Sequence, residues 1–144
     1  GTGMNARYVE NLGQQAILLP GAMELLTRLS SRYKLAVATN GLTLVQRARL
    51  QKSGFLPLLS GVFISQEMGV QKPDKAYYEQ IMRAFGDDAR EKYLMIGDSL
   101  SADIAGGVNA GIDTCWYHPA GAEAAEPQPT YTVRGYEELL ELLL

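Results

Sequence analysis

The stretch YLMIGDSLSADIAGG, residues 93–107, decides how the rest of the chain is read. An apolar run, Tyr93-Leu94-Met95-Ile96, ends at Gly97, and two carboxylates follow five residues apart, Asp98 and Asp103. Asp98 stands where a buried strand would end. Asp103 stands about one and a half turns into the helix that follows, which stops at Gly111.

The same punctuation recurs along the chain. Lys34–Asn40 (KLAVATN), Gly61–Ser65 (GVFIS) and Asp113–His118 (DTCWYH) also read as strands, with Tyr131–Val133 as a short fifth. These runs are nearly continuous in apolar residues, the mark of strands buried on both faces of a parallel sheet. Amphipathic segments lie between them. Tyr78, Ile81, Met82 and Phe85 form an i, i+3, i+4, i+7 stripe. Pro20-Gly21 opens a helix to Ser31, a third runs from Thr43 to Ser53, and Tyr136–Leu144 closes the chain. Residues 120–130 read as a surface loop. Strand–helix alternation of this kind predicts an α/β domain with helices on both faces.

Composition narrows the function. The chain has 144 residues, 47% of them hydrophobic, which suits one domain with a real core. Its net charge is −3 with the signs mixed, so no nucleic-acid partner is expected. No apolar run approaches the roughly 20 residues that span a bilayer, so no membrane partner is expected either. The single cysteine, Cys115, excludes an intrachain disulfide and suits a cytoplasmic setting. It reads as a small buried hydrophobe. Gly1-Thr2-Gly3 looks like a tag remnant.

In an open parallel sheet, ligands bind beyond the carboxyl ends of the strands. Asp98 sits at such an end. Thr39-Asn40-Gly41 ends the first strand and enters a helix; Ser65-Gln66-Glu67 ends the second; Lys72-Pro73-Asp74 follows. A hydroxyl at Thr39 with backbone N–H groups near a helix N-terminus suits a phosphate. Lys72 suits an anionic intermediate as a point charge. Asp98 suits Mg²⁺, which takes oxygen ligands and keeps several waters. Asp103 either backs the metal or pairs with Lys72. Pro73 keeps Lys72 out of a helix and on an extended segment. Singly, each has a plainer reading: Thr39 as an ordinary strand end, Asp74, Ser99 and Ser101 as helix caps, Asp103 as solvated. Their order at successive strand ends points to one site.

AVATNG, GVQKPD and LMIGDSLSADIAGGVNAGI resemble the second, third and fourth motifs of the haloacid dehalogenase (HAD) superfamily. LLPGAMELL and DTCWYHPAG resemble its pyrimidine 5′-nucleotidase branch. The resemblance implies an Mg²⁺-dependent phosphomonoesterase with a Rossmann-like, three-layer core, acting through an aspartyl-phosphate on a small phosphorylated metabolite such as a nucleoside monophosphate. It implies that Thr39, Asn40 and Gly41 bind the phosphoryl group, Lys72 stabilises its charge, Asp98 holds the metal and Asp103 supports the site.

One part of the pattern is missing. Family members begin with a strand ending in Asp-x-Asp, which carries the nucleophile and the general acid/base, and no such pair occurs in the 144 residues. The helical cap is also missing. The chain is therefore expected to be the C-terminal portion of a phosphatase, with residues 1–15 a tag remnant plus the end of a cap helix (Ala6–Leu12) and 16–144 the core. It is expected to be inactive alone. The alternative is a non-catalytic module that binds phosphate or Mg²⁺, or only associates with a partner. A receiver-like regulatory domain is disfavoured, because its acidic cluster would lie early in the chain. With strand 1 gone, a slot about 10 Å wide, two strand spacings, is expected between KLAVATN and YLMIGD. Direct pairing, the run Ala16–Leu19, or a strand from another chain would fill it. The last is preferred, so self-association or a bound N-terminal fragment is expected.

Overall fold

The computed structural model describes residues 8–10, 21–118 and 126–144. A six-stranded, wholly parallel sheet runs β3-β2-β1-β4-β5-β6. The strands are β1 (Tyr8–Glu10), β2 (Lys34–Thr39), β3 (Gly61–Ile64), β4 (Tyr93–Gly97), β5 (Asp113–Tyr117) and β6 (Tyr131–Val133). The helices are α1 (Ala22–Ser30), α2 (Thr43–Ser53), α3 (Ser65–Met68), α4 (Lys75–Phe85), α5 (Ala105–Ala110) and α6 (Tyr136–Leu143). A π-type turn, Leu100–Ile104, leads directly into α5.

The apolar runs become strands because both of their faces are covered. Leu94 and Ile96 point into a core with Leu25, Leu26 and Leu29 of α1 and Leu139 and Leu143 of α6. Tyr93 and Met95, one residue out of phase, point into the opposite core with Tyr77, Tyr78, Ile81 and Met82 of α4. The period-2 alternation of a strand thus sorts one continuous apolar run into two cores. Cys115 is fully buried, and burial pushes its thiol up to about 12, which suits a filler and not a nucleophile.

Two expectations are corrected. The segment read as a cap helix, Ala6–Leu12, contains a strand at Tyr8–Glu10. This strand occupies the slot between β2 and β4, with Val9 opposite Leu35 on one side and Leu94 on the other. The chain closes its own sheet, and the reason for expecting a strand from another chain falls away. Backbone pairing on two sides outweighs the weak helical pattern of so short a segment, since unpaired N–H and C=O groups in a sheet interior are costly. The run Ala16–Leu19 and the rest of residues 1–15 lie outside the described residues. Among the described residues no helix is long and apolar enough to cross a membrane.

The second correction concerns Lys72. Its segment is a turn and not extended: the Asp74 N–H donates to Gln71 O at 2.9 Å, across a cis Lys72–Pro73 peptide. Asp74 then caps α4, its carboxylate accepting from the Ala76 N–H at 2.9 Å, as its plainer reading expected.

Candidate active site

The candidate site lies at the carboxyl ends of β2 and β4. Lys72 is 7% exposed, and its Nζ donates to Asp103 Oδ1 at 2.6 Å and to the Ala38 carbonyl at 2.9 Å. Asp103, 3% exposed, takes the pairing alternative left open by the sequence. Its other oxygen accepts from the Ser99 N–H at 3.1 Å. A buried ion pair of this kind persists only when its remaining donors and acceptors are satisfied, and here the ends of two strands satisfy them. Two of the three Lys72 ammonium protons are thereby committed.

The Lys72 backbone is fixed as firmly as its side chain. The Asn40 side-chain amide donates from Nδ2 to Lys72 O at 2.9 Å, and Asn40 Oδ1 accepts from the Lys72 N–H at 2.9 Å. Asn109 Nδ2 donates to Pro73 O at 3.1 Å. The oxygen and one N–H of the Asn40 side-chain amide are therefore committed to the Lys72 backbone. Thr39, buried at 4%, is the last residue of β2, directly between Ala38 and Asn40. Gly41 follows in the bend that enters α2.

Gly97 has a use that the sequence reading did not assign. A Cβ there would overlap the Asp103 carboxylate, so only glycine lets that group lie against the end of β4. Asp98 comes next. It is partly exposed, and no hydrogen bond to its carboxylate is seen among the described residues. Ser99 is the cap of the following turn, its Oγ accepting from the Ala102 N–H at 3.1 Å, whereas the exposed Ser101 does not take that role.

The Ser65-Gln66-Glu67 segment does not join the ion pair. It forms α3 and ties itself to α2: Gln66 Oε1 accepts from the Thr43 N–H at 2.7 Å, and Glu67 receives both the Nε and Nη2 of Arg47 at 2.8 and 2.7 Å. The Arg47 guanidinium holds the Glu67 carboxyl below its ordinary range.

The donor set at Asp98 can be tested for Mg²⁺ on chemistry alone. Among the described residues no cluster of three or more His, Cys, Asp or Glu is placed to hold a metal. A single open carboxylate still fits Mg²⁺, which commonly takes one or two carboxylates, several waters and substrate phosphate oxygens.

Residues 3–111 match the family model of haloacid dehalogenase-like hydrolases. The chain belongs to this family. It is 48% identical over 145 residues to the pyrimidine 5′-nucleotidase PynA of Streptococcus pneumoniae, covering 99% of this chain and 61% of that protein. It is 35% identical to the pyrimidine 5′-nucleotidase YjjG of Escherichia coli, over 97% of this chain and 63% of that protein. The crystal structure of the HAD-hydrolase YfnB of Bacillus subtilis, bound to magnesium, superposes with a TM-score of 0.82 at 39% identity, over 87% of this chain and 55% of that one. The chain thus spans about three-fifths of the length of the curated relatives it matches. It is a HAD-type hydrolase chain related to pyrimidine 5′-nucleotidases, with the α/β Rossmann-like core expected from its motifs.

Proposed function

We propose that these residues are the phosphoryl-binding and charge-stabilising half of an Mg²⁺-dependent phosphomonoesterase whose substrate is a nucleoside 5′-monophosphate. The observation that carries this reading is the buried Lys72–Asp103 pair, strapped to the ends of β2 and β4 beside the open carboxylate of Asp98. Such a pair holds an ammonium at a fixed point before any substrate arrives, and preorganised charge is commonly the largest contribution to a rate enhancement.

In this reading the third Lys72 proton, the Thr39 hydroxyl and the backbone N–H groups of Asn40 and Gly41 bind the phosphoryl oxygens. Asp103 holds the Lys72 ammonium in place. A Mg²⁺ held by Asp98 would supply further neutralisation of phosphoryl charge. The nucleophile of this reading is the first aspartate of an Asp-x-Asp, a pair that these 144 residues do not contain, so the residues named here bind and neutralise the phosphoryl group and do not attack it. The nucleotide preference rests on the similarity to pyrimidine 5′-nucleotidases.

A second reading is a phosphate- or Mg²⁺-binding module without catalysis, favoured by the same missing Asp-x-Asp. A turnover assay separates the two. The 144-residue chain should not hydrolyse p-nitrophenyl phosphate or pyrimidine nucleoside monophosphates with Mg²⁺. Adding an N-terminal segment that ends in Asp-x-Asp should produce hydrolysis that Asp98→Ala abolishes. No hydrolysis by the extended, folded protein would favour the module. Turnover by the 144-residue chain, lost in Asp98→Ala, would show that the nucleophile lies within it.

A further inference from the structure

The peptide that joins Asp98 to Ser99 is gripped at both ends. Its N–H donates to Asp103 Oδ2 at 3.1 Å, and its C=O accepts from the Trp116 indole Nε1–H at 3.0 Å. The first grip belongs to the Lys72–Asp103 pair. The second has no part in it.

Trp116 stands opposite Gly97, the last register pair of β4 and β5. The strand ladder therefore ends one residue before Asp98. The indole N–H takes the place of the missing ladder donor and carries the sheet's hydrogen bonding one residue further than its backbone does. The indole is itself immobilised: it is 5% exposed, and the His118 imidazole stacks on it with centroids 4.1 Å apart and planes inclined by 14°. An indole has a single donor, and here that donor goes to the backbone carbonyl of Asp98, whose own carboxylate is partly exposed.

A peptide is planar, so fixing its two ends fixes the backbone torsion on each side. The direction in which the Asp98 Cα–Cβ bond leaves the backbone is set with it, which narrows the positions its carboxylate can reach. We propose that Trp116, braced by His118, is a positioning residue that aims the Asp98 carboxylate at a divalent cation. This rests on the reading of Asp98 as the metal-binding residue. A site with one protein carboxylate gains little from chelation, so its affinity depends on how well that carboxylate is preorganised.

The test uses Mn²⁺ as the probe on the 144-residue chain, read by paramagnetic broadening of backbone amides. In the wild type, saturable broadening should centre on Gly97, Asp98 and Ser99, and Asp98→Asn should remove it. Trp116→Phe keeps an aromatic ring at this position while removing the N–H and part of the ring volume. It should raise the apparent Kd for Mn²⁺ about three- to tenfold, the order expected for one hydrogen bond, while the remaining amide spectrum stays folded. His118→Ala should weaken binding in the same direction by less, and serves as the deciding variant if Trp116→Phe does not fold. Unchanged Mn²⁺ affinity in the deciding variant would overturn the inference and leave Asp98 as a metal site. Absence of saturable broadening in the wild type would overturn the metal reading, and this inference with it.

Discussion

Two ion pairs in this chain have nearly the same length and opposite surroundings. Lys72–Asp103 is 2.6 Å long, with side chains 7% and 4% exposed; Arg47–Glu67 is 2.7 Å long, with side chains 51% and 33% exposed. By geometry the surface pair is the better one, since the guanidinium meets the carboxylate with two hydrogen bonds. Burial reverses their importance. Water screens Arg47–Glu67 and solvates either partner if the other is lost. Asp103 is buried away from water, so losing Lys72 removes the cation that offsets its desolvation. The contrast teaches that the short distance is not the signal of function. The signal is a charged pair placed where charge is expensive and then supported by backbone from two strands.

The largest expected effect follows directly. Lys72→Met leaves a buried carboxylate without its cation and should lower stability by about 3–5 kcal/mol, measured by urea denaturation. Adding Asp103→Leu to Lys72→Met should recover much of that loss, because the penalty lies in the orphaned charge. A loss below about 1 kcal/mol for Lys72→Met would place the buried pair in the same class as the surface pair and break the contrast.

Asn40→Ala comes next. It removes both hydrogen bonds to the Lys72 backbone without touching either charge, and should cost about 1–3 kcal/mol. The amides of Lys72 and its neighbours should exchange faster with solvent, while those of β5 stay protected. Equal exchange throughout would mean that Asn40 does not specifically hold the Lys72 turn. The smallest effect belongs to Arg47→Ala. Its urea midpoint should stay within error of the wild type at physiological salt, because the pair is exposed and screened. A clear drop would show that the tie between α2 and α3 matters more than its exposure suggests.

Much of this site was legible from the order of short motifs at strand ends. Thr39 and Asp98 stand out because each ends a buried apolar run at the open edge of the sheet, and Lys72 and Asp103 through their place in the ordered set of motifs that follows those ends. The Asn40 strap was not legible, since its partners are backbone atoms 32 residues away and carry no residue-type signal. Trp116 was hidden for a related reason: within DTCWYH it reads only as one more apolar strand residue, and its donor matters through a backbone carbonyl. Glu67 and Arg47 gave no sign of each other because they lie on different helices. The strand Tyr8–Glu10 was missed because Arg7 and Glu10 bracket Tyr8-Val9 with charge, so no buried apolar run shows there. Its state is decided by the two strands that flank it.

The central claim is that a working phosphate cradle persists in these 144 residues although they contain no Asp-x-Asp nucleophile. Titration of the ¹⁵N-labelled chain with inorganic phosphate in the presence of Mg²⁺ tests it most directly. The account predicts saturable shifts at the Thr39, Asn40 and Gly41 amides that Thr39→Val reduces. Shifts confined to other parts of the surface, or none at these three amides, would contradict it.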